Sequence, residues 1–337
     1  LTKALTMRDK VAIYGGFAGT EKNVSERNVT LDTTILFGEG VDFVINNPVI
    51  LQTSAILDGF TITGSSGGVS SLGGLFNKCI ITGSTNSWAC GVKSSTGRFT
   101  NCSITGNYRG VNSDGVFINC NISNNADYNI TFTSATDSAI NCLIANSQDG
   151  VGYNSQGVFV NSTIVGCSNT GLNNFVGTLI NCVVWGNPNN WINDATITYS
   201  ALQQLKTGEG NIVLSTNNID ATGPQFVDPS KGNYHLMAGS PLIDKGAGSV
   251  NNSTIDLSGK MRTINNAIDI GAYEHGINVN VNVKGNDGKP LAYSTVMYDG
   301  YDYTANSKGI ANFDVSPNSS GTVSYTHLAG DSQMTLP

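Results

Sequence analysis

Asn101-Cys102-Ser103-Ile104-Thr105-Gly106-Asn107 sets a frame that returns four times. It comes back as Asn119-Cys120-Asn121-Ile122-Ser123-Asn124-Asn125, as Asn141-Cys142-Leu143-Ile144-Ala145-Asn146, as Asn161-Ser162-Thr163-Ile164-Val165-Gly166, and as Asn181-Cys182-Val183-Val184-Trp185-Gly186-Asn187. Upstream, Phe60-Thr61-Ile62-Thr63-Gly64 and Cys79-Ile80-Ile81-Thr82-Gly83 fit the same frame. The anchors fall at residues 60, 79, 102, 120, 142, 162 and 182, a mean spacing of about 20. A fixed period of this size marks a repeat architecture.

Each unit holds two further echoes. One is a Gly-Val-like step at Gly91-Val92, Gly110-Val111, Asn129-Ile130, Gly150-Val151, Gly171-Leu172 and Trp191-Ile192. The other is an apolar residue three before the anchor: Phe76, Phe99, Phe117, Ala139, Phe159 and Leu179. Three short β-like pieces per unit, with no helical stripe, predict an all-β chain. A unit this small cannot bury its own apolar face, but stacked coils can, each strand pairing with its copy about 4.8 Å away. The expected fold is a right-handed parallel β-helix. Leucine-rich repeats lack their consensus here, and a propeller blade needs about twice the period.

The anchor cysteines Cys79, Cys102, Cys120, Cys142 and Cys182, with Ser162 in the gap, then form one inward column of small buried side chains. Parallel Cβ atoms suit a disulfide poorly. The Asn before each anchor forms a second column at Asn101, Asn119, Asn141, Asn161 and Asn181. It is expected to bend the chain in the left-handed conformation, a straight strand being the alternative.

The chain has 337 residues, of which 12% are charged, with 40 Gly, 41 Asn and 8 Pro. Apolar content of 39% excludes a disordered polyelectrolyte, and five Glu exclude a coiled coil. A net charge of −7 argues against a nucleic-acid groove. No apolar run approaches the ~20 residues of a spanning helix. Leu1 to Lys10 show no signal peptide and no initiator Met, so flanking domains of a larger chain are expected.

Several segments resemble a known group. They are Tyr14-Gly15-Gly16-Phe17-Ala18-Gly19-Thr20-Glu21, Thr34-Ile35-Leu36, Leu57-Asp58-Gly59-Phe60-Thr61-Ile62, Pro224-Gln225-Phe226-Val227-Asp228-Pro229, Gly239-Ser240-Pro241-Leu242-Ile243-Asp244 and Asp269-Ile270-Gly271-Ala272-Tyr273-Glu274. Together they resemble bacterial secreted and cell-surface proteins with right-handed parallel β-helix repeats. That group has a pectin-lyase-like fold and closing motifs of the choice-of-anchor type. The resemblance implies coils over 1–205, a closing segment over 206–275, and a secreted or bacterial cell-surface location. The closing segment carries Pro224, Pro229 and Pro241, which interrupt strand ladders, and it is expected to cover the open C-terminal end, where an exposed last rung would be a sticky edge. Beyond it, Ile277-Asn278-Val279-Asn280-Val281-Asn282-Val283 alternates with period 2. Residues 277–337 read as an immunoglobulin-like or prealbumin-like β-sandwich, truncated against the ~100 residues of a full one.

Polysaccharide lyases and hydrolases occur on such folds, so the resemblance admits catalysis. Hydrolases need paired carboxylates, and lyases need a base and a charge neutraliser. Between Phe60 and Ser200 there is no Glu and no His. Gly64-Ser65-Ser66-Gly67-Gly68 matches a serine-hydrolase pattern but lies in a turn with no nearby His. One constellation remains. Seven residues past each anchor come Arg109, Asp127 and Asp149, expected on neighbouring rungs of one turn. The plain reading is a column where Asn and Asp suit the turn. The functional reading is a sugar site or a Ca²⁺ site on Asp127 and Asp149. Among the loop aromatics Trp88, Tyr108, Tyr128, Tyr153, Trp185 and Trp191, flat rings suit stacking on sugars. Tyr108, Tyr128 and Trp191 join Arg109, Asp127 and Asp149 as candidate ligand contacts. No catalytic residue and no resident cofactor is assigned, Ca²⁺ being the one ion the column would admit. The function expected is a β-helix binding or adhesion module contacting glycans or a host surface. The alternatives are a polysaccharide lyase or hydrolase and a rigid spacer.

Overall fold

The computed structural model describes residues 1–93, 96–112, 114–204, 207–250, 253–264, 267–285, 287–298, 301–315 and 323–326. Its main body is a parallel β-helix with three faces, wound in the right-handed sense usual for parallel connections. The first face stacks the Gly-Val steps in Cys90–Lys93, Arg109–Asn112, Tyr128–Thr131, Asp149–Val151, Thr170–Phe175 and Asn189–Ile192. The second stacks the strands of the Phe column: Arg98–Thr100, Val116–Ile118, Ser138–Ile140, Val158–Val160, Thr178–Ile180 and Thr196–Thr198. Two long strands, Phe43–Asp58 and Gly67–Asn77, run across both faces and join them into one sheet. The third face stacks ten strands, from Thr34–Phe37 through Ser103–Thr105 and Val183–Trp185 to Ile212–Val213. Every pairing within these faces is parallel.

The repeat columns land inside as expected. Cys79, Cys102, Cys120, Cys142, Ser162 and Cys182 are buried, and every cysteine of the chain is a free thiol. Each column thiol donates to a carbonyl one rung back, as Cys102 does to Phe76 at 3.5 Å and Cys182 to Phe159 at 3.3 Å. Phe76, Phe99 and Phe117 stack at 4.7 and 4.8 Å with nearly parallel rings, which is the rung spacing itself. Ala139 interrupts the column. Phe132 swings in from the preceding turn and touches both Phe117 and Phe159, filling the space Ala139 leaves.

The Asn column bends the chain. Asn101, Asn119, Asn141, Asn161 and Asn181 all have φ between 47° and 55°, and Lys78 and Tyr199 continue the bend at its two ends. Asn pays less than other residues for this conformation because its short amide bonds locally. Here the amides also bond along the stack, Asn181 to Asn161 at 2.8 Å and Asn141 to Asn119 at 3.1 Å. The Gly-Val echo has a steric cause. A Cβ on Gly110 would lie 2.3 Å from the Asn129 carbonyl, and one on Gly91 would lie 2.7 Å from the Asn107 amide. The Tyr14-to-Gly16 and Asp58-Gly59 motifs meet at Arg27, which pairs with Asp58 at 2.6 Å and donates to the Gly15 carbonyl at 3.0 Å.

The closing segment takes two paths. Ile212–Val213 adds one more parallel strand to the third face, so the coils continue past residue 205. Just before it, residues 208–211 lie against the last second-face strand, where Asn211 donates to the Ile197 carbonyl at 2.9 Å and the Glu209 carbonyl accepts from the Tyr199 N–H at 2.7 Å. Most of the remainder lies along the side, as a strap over the outer surface of the third face. Phe226, Tyr234, Leu236, Leu242 and Ile270 pack there on Leu143, Ala145, Val165, Val183 and Ala201. The reason is visible in the outward positions. Early coils place Ser103, Thr105 and Asn121 there, whereas later coils place Leu143, Val165 and Val183, which need a cover.

After the strap come two small antiparallel sheets. Ile277–Asn282 pairs with Ile310–Val315, and Thr295–Tyr298 sits between Tyr301–Thr304 and Val323–Thr326. Residues 316–322 and 327–337 of the expected sandwich lie outside the described residues. No helix among the described residues is long and apolar enough to cross a membrane.

Candidate functional site

Arg109 opens its strand on the first face, beside Cys90 on the rung before. Two residues ahead of the Val111–Ile130 pair, it stands next to Tyr128 rather than Asp127. Asp149 in turn stands beside Tyr128 and Thr170. The expected column of Arg109, Asp127 and Asp149 is therefore out of register by one residue at Asp127. The cause is turn length. Seven residues separate Cys102 from Arg109, but eight separate Cys120 from Tyr128, which fills the equivalent place.

Arg109 and Asp127 nonetheless meet. Arg109 Nε donates to Asp127 Oδ2 at 2.7 Å, with only 16% of the Arg109 side chain exposed. Three aromatic rings surround the guanidinium, Trp88 at 4.4 Å, Tyr128 at 5.0 Å and Tyr108 at 5.7 Å. Burial pushes the Tyr128 phenol up to about 12, so it stays neutral. The cation is already matched by a carboxylate and by ring faces. It positions the rings around it.

Asp149 takes no part in this cluster. Its carboxylate accepts from the Asn169 amide at 2.9 Å, the Thr170 hydroxyl at 2.7 Å and the Asn173 amide at 2.8 Å. Asp127 and Asp149 thus face separate partners and do not converge on a shared ion. Among the described residues no group of three or more His, Cys, Asp or Glu could hold a metal. Trp191 is also apart. Asn190, not Trp191, takes the register position opposite Leu172, so Trp191 points outward and is 53% exposed. It lies four rungs from Arg109, about 19 Å along the axis. Trp185 is a packing residue, its ring edge-on to Phe226 and its N–H bonded to the Ser215 carbonyl.

The residue that matters more than sequence spacing suggested is Trp88. It is 71% exposed and has φ 73°, a left-handed backbone that bulky residues adopt only under constraint. Its ring lies over Arg109 and forms one wall of a groove of about 360 Å³ with Asp42, Phe43, Ser66, Asn86 and Lys93. A second hollow of about 430 Å³, lined by Gly64, Ser65, Gly83 and Thr85, shares Asp42, Ser66 and Asn86 with the first. Together they make one trough crossing successive rungs. Its polar groups are hydroxyls, an amide, one carboxylate and one ammonium.

A second pair of carboxylates was not singled out by spacing. Asp137 is buried at the turn before the second face, and its side chain accepts from the Ser134 N–H at 3.0 Å. Burial, then a hydrogen bond with Asp114, push its carboxyl up to about 6.

No protein-family model matches the sequence, and no curated protein matches it. Among solved structures, the chain is similar to pectate lyase Pel9A, with 17% identity, 72% of this chain and 83% of that chain covered, and a TM-score of 0.40.

Proposed function

We propose that this chain is a non-catalytic binding module of a secreted or surface-displayed protein, and that it contacts glycans along the trough beside Trp88. The observation that carries the reading is Trp88 itself. A large ring kept in a strained backbone conformation and left mostly exposed is poor use of a packing residue, and such strain concentrates at functional positions. Arg109 holds the ring from beneath, and Tyr108, Tyr128 and Asp127 hold Arg109. The face is amphipathic in the way sugar rings require, a flat apolar plate beside hydroxyls and amides that exchange hydrogen bonds. The neighbouring Lys93 and Asp42 supply the charges open to a ligand, in place of Arg109.

The test is a glycan array, followed by calorimetry on the best ligand. Trp88→Ala is expected to weaken binding at least tenfold, about 1.4 kcal/mol. Arg109→Lys, which keeps the charge but loses the planar stack, is expected to weaken it by less. Binding that survives Trp88→Ala unchanged rejects this site. Release of unsaturated or reducing ends from pectin or alginate by the wild-type chain rejects the non-catalytic reading.

A further inference from the structure

The strap is fastened by a buried ionic cluster that plays no part in the trough. Arg262 is fully buried, its Nε 3.2 Å from Glu274 Oε1 and its Nη2 donating to the carbonyls of Asp269 at 2.9 Å and Gly271 at 2.8 Å. Asp256, also fully buried, accepts from the N–H groups of Ser258, Lys260 and Glu274, each at 2.8 Å. Asp269 accepts from the N–H groups of Asp244 at 2.9 Å and His275 at 2.6 Å, and Glu274 accepts from the Asp269 N–H. One guanidinium is thus enclosed with three carboxyl groups. Removing unpaired charge from water costs several kcal/mol per ion, so a closed cluster in this ratio favours uptake of a proton.

The surroundings do not supply the missing positive charge. The coils meet this region with Cys182, Asn181 and Thr163, all neutral at physiological pH; Asn181 and Thr163 bond to the strap backbone. From the hairpin of the strap, His235 lies against Tyr273 with ring centres 4.3 Å apart, and burial lowers its basicity. Burial likewise raises the Tyr273 phenol, which stays neutral. The His275 ring bonds to the Leu236 carbonyl at 2.9 Å. Asp244 adds a negative charge beside Asp269, and Lys260 a positive one on the side of His235.

We propose that the strap is a proton-gated latch. It lies closed over the third face while the carboxyl cluster holds a proton, and it loosens when that proton is lost. Opening would uncover Leu143, Val165 and Val183 together with the apolar underside of the strap, a surface of the kind that associates with other apolar surfaces. The direction follows from the buried acids. Burial raises Asp269 to about 6 and Glu274 to about 9, above their ordinary carboxyl values. The closed state therefore binds more protons than the open one between about pH 4 and 9, and closure weakens as pH rises through that window.

The experiment is hydrogen exchange of the whole chain by mass spectrometry from pH 5.5 to 9, with each peptide corrected for its intrinsic exchange rate. Protection of peptides within 253–275 is expected to fall by up to tenfold per pH unit above about pH 7, where Glu274 alone is linked, and more steeply near pH 6, where Asp269 adds a second linked proton. Peptides over 67–77, in the long strand that runs across the first and second faces away from the strap, should keep constant protection. Glu274→Gln should flatten the strap's response above pH 7, and Asp269→Asn should flatten it near pH 6. Strap protection that is independent of pH in the wild-type chain overturns the proposal. So does a slope that neither variant alters.

Discussion

Asn181 joins the two devices on which this fold depends, the bend between faces and the fastening of the strap. Its backbone sits at φ 55°, and its side chain is fully buried. The amide donates to Asn161 Oδ1 at 2.8 Å and to the Ala247 carbonyl at 3.0 Å, while its oxygen accepts from the Ala247 N–H at 2.7 Å. Asn181→Ala removes all three bonds and puts an ordinary residue in the left-handed region. The backbone change costs about 1 kcal/mol. Leaving buried groups at Ala247 and Asn161 unpaired costs about 1–3 kcal/mol for each one that water cannot reach. A total of about 3–6 kcal/mol follows. Asn101 provides the control. It makes the same bend at φ 53° but is exposed and makes one amide bond in the ladder, to Asn77 at 3.0 Å. Asn101→Ala should cost about 1–2 kcal/mol. Asn181→Gly separates the two effects, because glycine tolerates the bend but makes no amide bonds. It should retain most of the loss, about 2–4 kcal/mol. Guanidinium melts read by circular dichroism and by the fluorescence of Trp185, which sits under the strap, measure all three. Equal losses at Asn101 and Asn181, or a harmless Asn181→Gly, would refute the reasoning.

Phe132→Ala should cost about 3–4 kcal/mol, since it opens a cavity beside Ala139 that neighbouring rungs cannot close; calorimetric melting checks it, and a loss under 1 kcal/mol would mean the ring is not a filler. The seven thiols should resist alkylation in the native chain at pH 8, because all are buried and burial raises those of Cys102, Cys120 and Cys182. Rapid labelling of any column cysteine would contradict its inward position. Cys142→Ser should cost about 1 kcal/mol or less, because Ser162 already holds an equivalent place with its hydroxyl bonded to the Val160 carbonyl at 2.9 Å.

The parts of the fold that were legible are those repeated on every rung. Inward columns tolerate no change of side, since one residue of slip turns a strand's apolar set outward. The Cys and Phe columns and the Asn bend could therefore be read by counting three residues from Phe to anchor, a distance that holds at Phe76–Cys79, Phe99–Cys102 and Phe159–Ser162 alike. The strap's sideways path was written in the same strands, in the change from Ser103 and Thr105 to Leu143 and Ala145 on the outer side. The inner positions alone, which repeat on every rung, do not carry it. The buried cluster at Arg262 was beyond reach, as its members lie up to 18 residues apart in a segment with no period.

The candidate site was legible only in part, for the opposite reason: Arg109, Asp127, Tyr108 and Tyr128 stand together as candidates, but Trp88 lies where the repeat is broken. Seven or eight residues carry the chain from anchor to first-face strand in the coils that begin at Cys102, Cys120, Cys142, Ser162 and Cys182, but eleven do so from Cys79 to Cys90. The extra residues are the turn that contains Asn86, Ser87 and Trp88, and they are what lifts the indole out over Arg109 on the next rung. In the coil from Cys120 the surplus falls instead between the first and second faces, and that turn carries Phe132 and Asp137. A stacked fold pays no core penalty for a longer turn, because loop length adds closure entropy only slowly. Extra residues are therefore free to vary in number and to carry groups the core has no use for. On this argument the uneven anchor spacings, 23 residues after Cys79 and 22 after Cys120 against 18 after Cys102, mark where to look for function in this chain. Shortening the 82–89 turn to the length of the Cys102 coil should leave the stack intact and remove the trough.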